Sequence, residues 1–318
     1  MSKNKTVLIT GGTGFLGSHL ADKLLAEDYK VILMGRGTSL NNISHLLGNK
    51  KVEFVKGEIT NADDVRKALD NADIVFHLAA FTNVKESINE PKKDFDTSVT
   101  GTIILLESMR RQKKDKLVYI SAGRVYGIPK YVPVDEKHPI CPVDPYGLGK
   151  YIGEEYCKFY GRNYGIKTII LRLFSVYGPR QIPKPNSTTG IISIFVDKVI
   201  KGENIIIYGD GKLKRDLLHV SDFKNIVFNL VKEDLWSNIF NVASGDIYQI
   251  KDIAELVISI AKKKGSKIIF EKPLAGDINL YPDITKLKSM INFKPSVDLK
   301  DGIVDYVNWL RYTAGQKI

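Results

Sequence analysis

Short apolar runs alternate with segments of helical periodicity through the first half of the chain. Residues 5–10 read as a strand, and 14–26 as a helix with Phe15, Leu16, Leu20, Leu24 and Leu25 near one face. Further strands are predicted over 30–34, 52–56, 74–78 and 117–121, each bounded by polar or turn residues, with helices between them, notably 63–70 and 92–111. Strands alternating with helices imply βαβ units and a parallel sheet with right-handed crossovers, whose ligands sit outside the carboxyl ends of the strands. A long helical pattern follows over 145–164, then a strand over 166–172.

After Ser175 the rhythm changes. Tyr177-Gly178-Pro179-Arg180 and Pro183-Lys184-Pro185-Asn186 are rich in turn formers, and the elements beyond are shorter and mixed. The expected architecture is α/β: a Rossmann-type, doubly wound parallel sheet over 1–175 and a smaller mixed α/β substrate lobe formed mainly by 176–318, from which strands can return to the first domain.

Composition narrows the class. The chain has 318 residues, 43% hydrophobic and 26% charged, as expected of a globular enzyme. Two cysteines, Cys141 and Cys157, are too few for a disulfide framework and suit a reducing compartment such as the cytoplasm. The first apolar run stops at Thr10 and Gly11, too short for a signal core or a membrane span. The net charge of +11 comes from dispersed lysines, and neither zinc-finger spacing nor an RNA-binding aromatic signature accompanies it, so no nucleic acid partner is expected.

Gly11-Gly12-Thr13-Gly14-Phe15-Leu16-Gly17 follows the first strand and opens a helix. Gly11 permits the tight turn, Gly14 lets a pyrophosphate approach the backbone, and Gly17 lets helix and strand pack closely. The spacing predicts a dinucleotide with its phosphates on the helix N-terminus. The second strand ends Leu33-Met34-Gly35-Arg36, with no carboxylate for a ribose 2′-hydroxyl. Gly35 and Arg36 favour a 2′-phosphate, hence NADP over NAD.

Tyr146 and Lys150 stand four apart at the start of a helix and share a face. Near an ammonium and a cationic nicotinamide, a tyrosine is expected to titrate lower and to exchange a proton with a sugar hydroxyl.

Together these residues resemble the extended short-chain dehydrogenase/reductase family, in its sugar-nucleotide epimerase/dehydratase branch. The likeness also rests on His77-Leu78-Ala79-Ala80, on Ser121 through Val125-Tyr126-Gly127, on Tyr177-Gly178-Pro179-Arg180-Gln181, on Tyr208-Gly209-Asp210-Gly211, and on Arg215-Asp216 before His219-Val220. It implies catalytic roles for Tyr146 and Lys150. It implies cofactor contacts from Gly11, Thr13, Gly14, Phe15, Leu16, Gly17, Arg36, Glu58, Ile59, Leu78, Ala79, Ala80, Tyr146 and Lys150. It implies a nucleoside-diphosphate sugar as substrate, gripped by Arg215, with Lys85, Ser175 and Arg180 as further candidates, and a homodimer built by pairing 91–111 with 145–164.

The chain departs from the family pattern at several points. The usual catalytic Ser or Thr, four residues before the tyrosine of Val-Tyr-Gly, is Ala122 here, and Ser121 is the nearest hydroxyl. Either the strand end is distorted so that Ser121 reaches in, or the sugar oxygen is held by something else. If Ser121 takes part, Ser121→Ala should lose one to a few orders of magnitude in turnover. Gly123 and Arg124 replace the Asp-Glu pair of dehydratases, which disfavours dehydration. Ser98 and Ser175 stand where asparagines are common, and Leu274 where an arginine is; Lys272 is a possible shifted replacement. His77 and His219 have no companions at metal spacing and read as structural, so no metal is expected. The paired acids Asp63/Asp64 and Glu154/Glu155 read as solvated helix faces. The leading function is a 4-epimerase working through a 4-keto intermediate. A cofactor-consuming 4-keto reductase or dehydrogenase and a non-catalytic dinucleotide sensor are the alternatives.

Overall fold

The computed structural model describes residues 5–183, 190–261, 265–273 and 278–315. The first half runs β1 (Thr6–Thr10), α1 (Phe15–Ala26), β2 (Lys30–Gly35), β3 (Val52–Lys56), α2 (Ala62–Leu69), β4 (Ile74–His77), α3 (Val84–Asn89), α4 (Pro91–Phe95), α5 (Gly101–Arg111), β5 (Lys116–Ala122), α6 (Pro145–Tyr164) and β6 (Lys167–Leu173). The second half adds β7 (Ser175–Tyr177), α7 (Ile191–Lys201), β8 (Ile205–Tyr208), β9 (Lys214–His219), α8 (Val220–Lys232), β10 (Asn238–Val242), β11 (Ile247–Gln249), α9 (Ile250–Ala261), β12 (Ile268–Glu271), α10 (Thr285–Ile291) and α11 (Leu299–Gly315).

Seven strands form one parallel sheet in the order β10-β6-β5-β4-β1-β2-β3. The winding reverses between β1 and β4, and the crevice at their carboxyl ends is where such sheets bind ligands. Leu20 and Leu24 of α1 and Phe223 and Val227 of α8 pack one face with Val118 and Ile120. Leu105 and Met109 of α5 and Cys157 and Tyr160 of α6 pack the other with Leu117 and Tyr119. Each such fully buried aliphatic side chain contributes about 1.5–3 kcal/mol of transfer free energy. The expected helix over 92–111 is split: α4 and α5 are joined by a π-helical stretch over Asp96–Thr100.

The smaller lobe holds a three-stranded sheet, β11-β9-β7, and the parallel pair β12-β8. Its core is built from α7, α9 and α11 around Ile205 and Ile207. β10 returns from this half to the edge of the large sheet beside β6. The lobes are tied where the 178–183 turn meets α1: His19 Nε2 lies 2.8 Å from the Pro179 carbonyl, and Arg180 pairs with Asp22 at 2.7 Å.

Helix α6 carries the central site residues, and its ends are set locally. Asp144 caps it, its Oδ1 accepting the Gly147 N–H at 2.8 Å, and Pro145 occupies the first turn. Gly165, left-handed at φ 74°, closes it. Two interior glycines permit close packing. A Cβ on Gly153 would lie 2.1 Å from the Tyr119 hydroxyl, and one on Gly149 would lie 3.2 Å from Asp94 Oδ2.

Candidate active site

The glycine turn stands at the carboxyl end of β1. Gly11 is left-handed at φ 69°, and a Cβ there would sit 2.9 Å from the Ala79 nitrogen; one on Gly17 would sit 2.5 Å from the Gly11 carbonyl oxygen. The turn and α1 are therefore as close as backbone allows. Gly14 is the N-cap of α1, no side chain caps that terminus and no acid lies in its first turn. Amides so placed fit a pyrophosphate, so the residues present suit a dinucleotide. Thr10 Oγ1 accepts the Ala79 N–H at 3.2 Å, which joins this turn to the Leu78-Ala79-Ala80 segment. Glu58 and Ile59 follow β3; Glu58 donates its N–H to Asp64, and buried Ile59 packs beneath Gly101. Asp64 is thus partly structural, while Asp63 pairs with Arg66 on the surface. Gly35 lies against Thr13, where a Cβ would meet Oγ1 at 2.9 Å, and Arg36 is exposed at the tip of β2.

Tyr146 and Lys150 project from the first two turns of α6 near the carboxyl end of β5. Lys150 is buried, donates from Nζ to the Ile120 carbonyl at 2.7 Å, and stands 5.3 Å from the Tyr119 ring. Burial lowers its pKa to about 8, against the pull of Asp94, Cys157 and Glu154. Tyr146 is pushed well above the ordinary phenol value, by burial first and then by Asp94 and Asp144; Arg124 opposes them. Arg124 is thus a cation beside the phenol that the expected role of Lys150 did not include. Arg124 is fixed by Asp144, whose Oδ2 accepts Nε at 3.0 Å and Nη2 at 2.5 Å.

Two expectations change. β5 keeps its ladder to the end, with Ser121 opposite Arg172 and Ala122 opposite Leu173, so no distortion swings Ser121 inward. Its hydroxyl donates to Glu154 Oε1 at 2.5 Å. Glu154 is not on a solvated face: it is fully buried and takes Arg172 Nε at 3.0 Å and Nη2 at 2.7 Å. Ser121 therefore belongs to a buried Ser121–Glu154–Arg172 cluster. Glu155 is half-buried and pairs with Lys158 near the surface.

The substrate candidates are spread more widely. Arg215, on β9, donates to the carbonyls of Lys214 and Ile278. Ser175 is half-buried at the start of β7, and Lys85 is exposed on α3. Arg180 is committed to Asp22 of α1, with His45 3.4 Å away, which makes it a tie between lobes rather than a free grip for a diphosphate. Leu274, Gly276 and Asp277, like Lys184 to Asn186 of the second turn-rich segment, lie outside the described residues. His77 sits between the Thr10 and Thr102 hydroxyls at 2.7 and 3.0 Å, and His219 lies 3.4 Å from Asp305.

Sequence reasoning missed Asp94 and the Arg124–Asp144 clamp. Asp144 carried a signal, an acid directly before Pro145 at a helix start. Asp94 carried none, because it sits among charged residues on a short helix.

Comparison with known proteins places the chain among similar ones. The sequence profile of the NAD dependent epimerase/dehydratase family matches residues 7–243. A Methanocaldococcus jannaschii protein provisionally named UDP-glucose 4-epimerase is 42% identical over 310 residues, 96% of this chain and 98% of that one. The UDP-glucose 4-epimerase of Thermotoga maritima, solved with UDP-glucose, superposes with a TM-score of 0.88 at 30% identity over 97% of this chain and 99% of that one. The Thermus thermophilus UDP-glucose 4-epimerase, solved with NAD, gives 0.86 at 31% identity, covering 96% and 99%.

Proposed function

The chain belongs to the NAD-dependent epimerase/dehydratase family, and from that membership we propose that it is a nucleoside-diphosphate-sugar epimerase acting at C4 through a 4-keto sugar. The observation that carries the reading is the pairing of Tyr146 and Lys150 on one face of α6, at the same mouth of the sheet as the glycine turn. The cofactor is NAD(P), held by the Gly11–Gly17 turn, Leu78 to Ala80, and Glu58 and Ile59. When bound, it supplies a reversible hydride acceptor and, oxidised, a positive charge.

Tyr146 exchanges a proton with the C4 hydroxyl. A phenol raised by burial stays almost wholly un-ionised near neutral pH, so this step draws on the positive charge about it, Arg124 included. Lys150 orients the nicotinamide ribose. Catalysis rests on positioning and on support of the developing oxyanion. Residues 1–175 hold the cofactor, and 176–318 mainly the sugar nucleotide, with Arg215 toward the diphosphate and Ser175 and Lys85 as further contacts. Exposed Arg36 and the missing carboxylate at the tip of β2 favour NADP, whereas the Thermus thermophilus relative was solved with NAD; titration with each nucleotide separates the two.

We propose a cytoplasmic location from the cysteine usage, since two cysteines, both free, suit a reducing compartment. A homodimer is supported by Leu148, Tyr156 and Phe159, exposed along α6, and by Phe95 at the end of α4. Light scattering on the purified protein tests it.

The functional test incubates the enzyme with a panel of UDP- and dTDP-sugars and catalytic cofactor, following products by NMR and reduced nicotinamide by near-ultraviolet absorbance. Epimerisation gives product without a steady absorbance change. A steady change assigns a reductase or dehydrogenase, and cofactor binding without any product assigns a sensor. Tyr146→Phe should lower turnover about 10²–10⁴-fold while nucleotide binding persists.

A further inference from the structure

We propose that Asp94 is a positioning residue of this site: its buried carboxylate is the counter-charge that holds Lys150 as an ammonium beside Tyr146. The proposal rests on the reading of Tyr146 and Lys150 as the reacting pair, and it follows from a census of the charges that face them.

An ammonium as buried as Lys150, with one carbonyl acceptor at Nζ, requires a negative partner nearby. Three carboxylates act on the site. Glu154, one turn along α6, is neutralised by Arg172 at 2.7 Å and also takes the Ser121 hydroxyl. Asp144 is neutralised by Arg124 at 2.5 Å and caps the helix. Asp94 is 1% exposed, accepts the Ser98 hydroxyl at 3.2 Å, and forms no ion pair among the described residues. Two arginines thus cancel two acids, and Asp94 and Lys150 are left for each other.

The packing is built for that approach. Asp94 Oδ2 lies 3.2 Å from where a Cβ on Gly149 would stand, directly before Lys150 and three residues after Tyr146. Glycine inside a helix costs roughly 0.5–1 kcal/mol relative to alanine, so the gap is retained against local helix stability. The π-helical stretch over Asp96–Thr100 begins just past Asp94, and Ser98 within it returns its hydroxyl to that carboxylate. Such stretches recur at functional sites. The other groups facing Lys150 do not compete. His77 on β4 is kept neutral by burial and by Lys150 itself. Burial pushes the Cys157 thiol and the Tyr119 and Tyr146 phenols upward, so they stay protonated. The carboxyl of Asp94 is itself raised by burial, with the Ser98 bond and Lys150 pulling it back.

The test uses the full chain labelled with ¹³Cε-lysine, whose Cε shift reports the ionisation of Nζ. The Lys150 resonance is identified by its loss in Lys150→Arg. In Asp94→Asn its titration should move down by about one pH unit or more, the effect of removing one nearby opposite charge. Turnover should then fall most on the alkaline side and recover toward pH 6. Asp94→Ser gives the same comparison if the Asn variant does not fold. An unmoved Lys150 resonance, or turnover lowered by one factor at every pH, overturns the proposal. A shifted resonance in a protein that turns over no nucleotide sugar upholds the charge pairing and removes the enzymatic reading instead.

Discussion

Ser121→Ala separates a structural hydroxyl from a catalytic one. In the structure this hydroxyl makes a single side-chain bond, to a carboxylate oxygen of buried Glu154 at 2.5 Å. A hydrogen bond to a charged group is worth about 1.5–3 kcal/mol. The oxygen losing it keeps the Arg172 Nε at 3.0 Å, and the other carboxylate oxygen keeps Nη2 at 2.7 Å, so the lower part of that range, about 1.5–2 kcal/mol, is expected. For a chain of this size that corresponds to a drop of roughly 2–3 °C in Tm. Turnover should stay within about threefold of the wild type, because no contact to the reacting atoms is removed. Differential scanning calorimetry and steady-state kinetics on the same preparation read the two effects. Turnover lowered a hundredfold or more at unchanged Tm would refute the assignment and return Ser121 to the chemistry.

Two further outcomes follow from the geometry. Gly17→Ala should weaken nucleotide binding and lower Tm, although alanine favours helix by about 1 kcal/mol, because the new methyl meets backbone at 2.5 and 2.8 Å; tighter packing with unchanged nucleotide affinity by calorimetric titration contradicts this. Burial holds His77 at about 3 and His19 at about 4, so below pH 6.5 the unfolded chain takes up protons that the folded one refuses, and stability falls with pH by up to about 1.4 kcal/mol per unit for each. Asp216, raised by burial to about 6, binds its proton earlier in the folded state and offsets one of the two between pH 6 and 4. The urea midpoint should therefore decline from pH 6.5 to 5, and a flat or rising midpoint contradicts the burial of both rings as neutral groups.

Most of the fold was legible because its signals are local. The apolar runs marking β1 to β6 lie within a residue or two of the observed strands, and the turn chemistry at Gly11 is carried by a single residue. What escaped depends on contacts between distant segments. Nothing in 238–242 announces that β10 joins the large sheet beside β6, since a buried strand reads alike in either lobe. The helical periodicity across 92–111 runs through the junction of α4 and α5, yet the π-helical stretch there shifts the phase between α5 and α4, on which Asp94 is buried. That shift leaves no mark on composition.

The site divides along the same line. Tyr146 and Lys150 were readable from spacing, and the glycine turn from its place between strand and helix. Glu154 was misread because acids on a long helix are usually solvated, and because its partners lie 18 residues ahead and 33 behind. Its position does fall on the stripe Gly147, Lys150, Glu154, Cys157, which is buried throughout. Periodicity therefore names the inner face of α6 even where the residues on it are polar, and physics then demands a partner for each charge found there. Arg172 answers Glu154 and Arg124 answers Asp144. Following that demand to Lys150 leads off the helix to α4, to a carboxylate that sequence spacing alone gave no reason to choose.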